Sequence, residues 1–74
     1  MNLITIGKAI KQLRERKELS QEVLSGLANI DRGHLSKVEL GKRNPSIIVI
    51  YKLADALGVR GSDILRAAED QAEK

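Results

Sequence analysis

Ile6, Ile10 and Leu13, with Ala9 beside them, recur at three- and four-residue spacings near the start of the chain. That is the period of an amphipathic helix, and it predicts a first helix from about Thr5 to Lys17 with Thr5 as its N-cap. Gly7 lowers helix propensity, but near the start, where the cost is best tolerated. Ser20 can accept a hydrogen bond from first-turn amides, and Glu22 is favoured near a positive helix end. A second helix is therefore predicted from Gln21 to Ala28. Asn29 follows, one of the few non-glycine residue types that accept a left-handed backbone, so a sharp turn is expected there.

Asp31 is the next cap candidate. Leu35 and Val38 give one apolar side to a short helix from Arg32 to Leu40, closing at Gly41. Lys42, Arg43, Asn44, Pro45 and Ser46 make a polar loop whose last residue can cap the next element. Ile47 to Tyr51 is β-branched or aromatic throughout and, read alone, resembles a buried strand. Ile47, Ile50, Leu53, Ala54 and Leu57 nonetheless continue a helical stripe as far as Gly58, which predicts a fourth helix from Ile47 to Leu57. Ser62 caps a last helix in which Ile64, Leu65 and Ala68 pack, before Glu69 to Lys74 frays into charge. Five short helices joined by connections of about three to six residues predict an all-α, compact five-helix domain spanning residues 1–74.

Composition narrows the function. The 74 residues include no Cys and one His, which leaves no disulfide, no thiolate and no tetrahedral metal set. No metal and no cofactor are expected. Tyr51 is the lone aromatic residue, so the core is aliphatic and an enzyme-like pocket is hard to build. Ser20, Asp31 and His34 occupy cap or exposed positions rather than a paired catalytic arrangement, so no catalytic residue is assigned and an enzyme is excluded. The longest apolar run, Ile47 to Tyr51, is far short of a membrane span, and no basic-then-apolar leader opens the chain. The sequence reads as that of a soluble, cytoplasmic protein with no membrane association.

Charge is unevenly placed. Thirteen Lys and Arg against ten Asp and Glu give +3 overall, but residues 32–52 alone carry +4 and the segment after them −2. A basic middle with an acidic end suits an oriented footprint for a polyanion, although ordinary solvated helix faces give the same sum.

The proportions of helices two and three, over about 21–40, are those of two short helices crossing through a tight turn. Three features extend this. They are Ser20-Gln21-Glu22; the inner set Leu24, Ala28, Ile30, Leu35 and Val38; and the run Glu39-Leu40-Gly41-Lys42-Arg43-Asn44-Pro45-Ser46. Together they closely resemble the Cro/repressor-type helix-turn-helix family. Lys52 to Val59 is similar to that family's fourth helix, so the resemblance covers about residues 6–65. Ile30-Asp31-Arg32 and the helix after them are most similar to controller proteins of restriction-modification systems. The resemblance implies a repressor-like DNA-binding domain, usually homodimeric, that regulates transcription. It also implies an ion pair between Arg14 and Glu39 that ties helix one to the end of helix three, a structural role rather than a DNA contact.

The major groove of duplex DNA admits one helix, whose N-terminal residues meet base edges. Helix three is the reader, with Arg32, Gly33, His34, Ser36 and Lys37 facing away from Leu35 and Val38. Arg32 can donate two parallel hydrogen bonds to guanine, or else hold a phosphate. Ser36 suits a base or a phosphate. His34 can stack, donate or stand solvated. Gly33 weakens a short helix, and either permits close approach to a base or sugar or marks a tolerant surface position. Arg32, Gly33, His34 and Ser36 are the candidate base contacts. Gln21, Lys37, Lys42, Arg43 and Asn44 are the candidate backbone contacts, since phosphate contacts supply affinity and register, although Asn44 equally suits a cap within the loop. In the resembled family the residue matching Gln21 bridges to phosphate or supports the reader helix.

Ile48 and Val49 stand where that family usually has polar residues. With Tyr51 they are the candidate homodimer interface, within a dimerisation role for helices four and five, about 47–70. Burial in a larger monomer core is the alternative. The expected function is a sequence-specific double-stranded DNA-binding regulator, homodimeric on an inverted repeat and without a small-molecule effector. Its rivals are an antitoxin whose exposed Ile48 and Val49 dock a toxin, and a protein-interaction module that does not bind DNA.

Overall fold

The computed structural model describes residues 2–73, which form five α-helices and, among the described residues, no strand. They are α1 (Leu3–Arg16), α2 (Gln21–Ala28), α3 (Arg32–Glu39), α4 (Ile47–Leu57) and α5 (Gly61–Ala72). The boundaries of α2 and α4 are those that the apolar spacing predicts, because both helices begin on a serine cap. Ser20 Oγ accepts from Val23 N at 3.0 Å and Ser46 Oγ from Val49 N at 3.1 Å. Both also end on a left-handed residue, Asn29 and Gly58.

Three helix ends differ from expectation by more than one residue, while α1 and α3 each end one residue early, at Arg16 and Glu39. α1 begins at Leu3, and Thr5 is not its cap. Asn2 is, with its Oδ1 accepting from Thr5 N at 3.0 Å while its own N–H donates to Thr5 Oγ1 at 2.8 Å. α5 begins at Gly61 rather than after Ser62, because Asp63 Oδ2 reaches back to accept from Arg60 N at 2.8 Å. Its last turn is helical as far as Ala72, where Gln71 Nε2 donates to Gln12 Oε1 at 2.8 Å and pins the segment to α1. Lys74 lies outside the described residues.

Ile10, Leu24, Leu35, Val38, Leu53 and Ile64 are fully buried, so every helix contributes to one aliphatic core. α1 lies across α5 and the end of α3, and α2 is held between α3 and α4. No helix among the described residues is long and apolar enough to cross a membrane.

The turn from α1 to α2 carries local strain. Glu18 adopts φ +57 while its N–H donates to Glu15 O, a left-handed conformation that costs a side-chain-bearing residue about 1–2 kcal/mol. Glu18 is exposed. Glu18→Gly is expected to stabilise the fold by about 0.5–1 kcal/mol, after the entropy that glycine adds to the unfolded chain. A urea titration would read this, and an unchanged midpoint would show that the strain has no energetic consequence.

Candidate nucleic-acid interface

α2 and α3 are joined by Asn29, Ile30 and Asp31. The left-handed Asn29 reverses the chain, and Ile30 packs on the core to fix the angle between the helices. Asp31 stands at the N-cap position of α3 but makes no side-chain cap bond. Inward, α3 buries Leu35, Val38 and Glu39. Outward, Arg32, Gly33 and Lys37 are exposed, while His34 and Ser36 are half-buried on the two flanks. This corrects the expectation that all five residues face out. His34 Nε2 in particular is enclosed and has no hydrogen-bond partner among the described residues. Lys42, Arg43 and Asn44 lie in the loop after α3, and all three are exposed.

The rear of α3 is fixed by an ionic node. Arg14 Nε donates to Glu39 Oε2 at 2.7 Å and Arg14 Nη2 to Glu39 Oε1 at 2.9 Å. The side chains are only 11% and 2% exposed. This is the pair that the family resemblance implies. Arg14 Nη1 also donates to Leu19 O at 2.8 Å, so the guanidinium holds the turn before α2 as well. The hydrogen-bonded carboxylate raises the Arg14 pKa further above its ordinary value, against the burial that opposes the charge. Gln21, the first residue of α2, donates from Nε2 to Glu39 Oε1 at 2.9 Å and is half-buried. One node therefore sets the start of α2 against the end of α3. Of the two roles that the resemblance offers Gln21, support of α3 is the one these contacts express.

Sequence reasoning missed Gly7. A Cβ built there would fall on the carbonyl oxygen of Val38 and lie 2.7 Å from that of Glu39. α1 thus touches the end of α3 through bare backbone. Gly33 is the opposite case. Its Cβ would meet only Asp31 Oδ2, at an ordinary 3.8 Å, so nothing within the chain requires glycine there.

On α4, Ile47, Ile48 and Tyr51 are 58%, 64% and 59% exposed. Val49 is half-buried against the core, which corrects its placement outside the intramolecular stripe. Ile47, expected within that stripe, takes its place on the open face. The Tyr51 ring lies over Gly61, whose Cβ would be 2.9 Å from Tyr51 Cε1.

Comparison with known proteins agrees with this geometry. A family model described as Helix-turn-helix matches residues 10–64. The chain is 35% identical over 69 residues to the control protein C.MunI of a Mycoplasma species, covering 92% of this chain and 93% of that one. It is similar to the crystal structure of the restriction-modification controller protein C.AhdI from Aeromonas hydrophila. The identity is 40% and the TM-score 0.82, over 84% of this chain and 94% of that one. It is also similar to the restriction-modification controller protein C.Esp1396I, whose structure is that of a tetramer in complex with its natural 35 base-pair operator. The identity is 26% and the TM-score 0.88, over 97% and 95% of the two chains.

Proposed function

This chain belongs to the helix-turn-helix family, and on that footing we propose that it is a sequence-specific, double-stranded DNA-binding transcription regulator. It acts in the cytoplasm as a homodimer on an inverted-repeat operator and controls restriction-modification genes. The observation that carries the reading is the outward side of α3, where Arg32, Gly33 and Lys37 stand exposed on a helix locked from behind by Arg14 and Glu39. The controller names of C.MunI and C.AhdI support the restriction-modification assignment, and both fit a binding protein rather than an enzyme.

The roles follow from position. Arg32, in the first turn of α3, donates two parallel hydrogen bonds to a guanine edge. Gly33 comes close to the bases, and Ser36 and the open part of the His34 side chain, whose Nε2 is enclosed, stand at the flanking base edges. Gln21 brings the first turn of α2 to a phosphate, where free amides and the helix dipole favour an anion. Lys37, Lys42, Arg43 and Asn44 hold the backbone, supplying affinity and register. Ile48 and Tyr51, joined by Ile47 and edged by Val49, form the self-complementary patch of a two-fold dimer. The two reader helices then sit roughly 34–36 Å apart, one helical turn of DNA.

Selection of bound duplexes from a random library, with the intact chain and with Arg32→Ala, tests the reading. The expected result is an inverted repeat that becomes degenerate at one symmetric position in the variant, with about 5- to 150-fold weaker binding to the parent operator. Affinity is expected to fall about 10³- to 10⁵-fold between 50 and 200 mM salt if the dimer makes six to ten phosphate contacts. No enrichment by a folded protein would defeat the proposal. The dimer is tested separately. Ile48→Lys places a charge in the patch and is expected to give a monomer by sedimentation at micromolar concentration, with an unchanged melting temperature for the monomer fold. A variant that remains dimeric would place the interface elsewhere.

A further inference from the structure

At 3.6 residues per turn, the side of α3 directly opposite Leu35, Val38 and Glu39 is taken by Gly33 and, one turn later, Lys37. Gly33 is therefore at the crest of the face that the proposed function turns toward the bases, flanked by the long side chains of Arg32 and Lys37. Glycine there has no internal cause. Its φ is not positive, since the positive-φ glycines are Gly41 and Gly58. A Cβ would find only an ordinary 3.8 Å contact with Asp31 Oδ2. Glycine also weakens a helix, and α3 has only eight residues and no side-chain cap bond. The feature weakens the fold and relieves nothing within it, so its use lies outside the chain.

We propose that the space left by the missing Gly33 side chain receives the C5 methyl group of a thymine in the operator, making Gly33 a specificity-determining residue. The inference rests on the DNA-binding reading above and adds the base that one position of α3 selects. The methyl of thymine is the apolar group that the base edges present in the major groove. It matches in size the one methyl group by which glycine differs from alanine. At the crest of the helix, that substitution places carbon where the operator already has carbon. Arg32 and Lys37, long and flexible, straddle the contact without filling it.

The test uses the intact chain, the Gly33→Ala variant and the operator obtained by selection. Each thymine is replaced in turn, symmetrically in both half-sites, by deoxyuridine, which keeps the base pair and removes the methyl group. On the thymine operator, Gly33→Ala is expected to bind about tenfold more weakly than the parent, the scale of one base contact. At one symmetric position deoxyuridine should weaken the parent and restore the variant, bringing the two within about threefold of each other. Thermal melts establish that the variant is folded, as its open Cβ position leads one to expect. Equal binding of parent and variant to the thymine operator would overturn the inference. So would weakened binding that no deoxyuridine position restores, which would assign the close approach to the sugar-phosphate backbone. A parent chain that enriches no duplex would overturn the DNA-binding reading and this inference with it, whereas the other two outcomes leave that reading intact.

Discussion

Glu39→Ala is expected to cost about 3–5 kcal/mol of folding stability, the range for removing one partner of a buried ion pair. Glu39 accepts from Arg14 Nε, Arg14 Nη2 and Gln21 Nε2, and its side chain is 2% exposed. Without it, the guanidinium keeps one protein partner, Leu19 O, while remaining almost enclosed. For a domain of this size each kcal/mol moves the melting temperature by about 4–8 °C, so the midpoint should fall by roughly 12–40 °C. The double variant Arg14→Met with Glu39→Leu removes both charges at similar volume and is expected to recover most of the loss, since an apolar replacement of a buried pair is often neutral or better. A single-variant loss below about 1 kcal/mol, the level of an exposed pair, would show that solvent reaches the node freely.

This variant also separates two roles that a binding assay alone confuses. Weak DNA binding by Glu39→Ala at 37 °C would follow from unfolding. Arg32 is exposed on the outward side of α3, so Arg32→Ala should lose affinity without losing stability. Melting each protein before measuring its affinity would separate a loss of support for α3, expected for Glu39→Ala, from a loss of DNA contact, expected for Arg32→Ala.

How much of the fold is legible in the sequence depends on the range of each interaction. The starts of α2 and α4 are legible because a serine bonds an amide three residues away. Their ends are legible because Asn29 and Gly58 are types that tolerate a left-handed backbone. The start of α1 is misread because Asn2 and Thr5 cap reciprocally, so the inner partner looks like the cap itself. Ser62 gives way to Arg60 for a similar reason, since Asp63 reaches backward to the amide that opens α5. Ile47 and Val49 exchange faces because five consecutive apolar residues carry no phase. Only packing against α2 and α5 sets the rotation of α4. The exposure of Arg32 and Lys37 can be counted off from Leu35 and Val38. The enclosure of His34 Nε2, the Gln21 bond to Glu39 and the use of Gly7 cannot, because each depends on residues brought together from distant parts of the chain.

Gly7 gives the second large prediction, and one whose sign local propensity reverses. Judged as a helix residue, Gly7→Ala should help by up to about 1 kcal/mol. The fold opposes this, because the added methyl meets the carbonyl oxygens of Val38 and Glu39. These are backbone atoms of a helix end fixed by the Arg14–Glu39 pair, and they cannot swing aside as a side chain would. α1 must back away, opening the seam beside Ile10, or the last turn of α3 must distort. Overpacking of this kind costs about 1–3 kcal/mol or more, and with no flexible neighbour to yield the upper end applies. The net expectation is a loss of about 2 kcal/mol in a urea titration. Because any retreat of α1 also lengthens the Arg14–Glu39 contacts, Gly7→Ala and Glu39→Ala should lose less together than the sum of their separate losses. Full additivity would mean that the glycine contact and the ion pair hold α3 independently. A stabilised Gly7→Ala protein would mean that α1 and α3 do not meet through backbone at all.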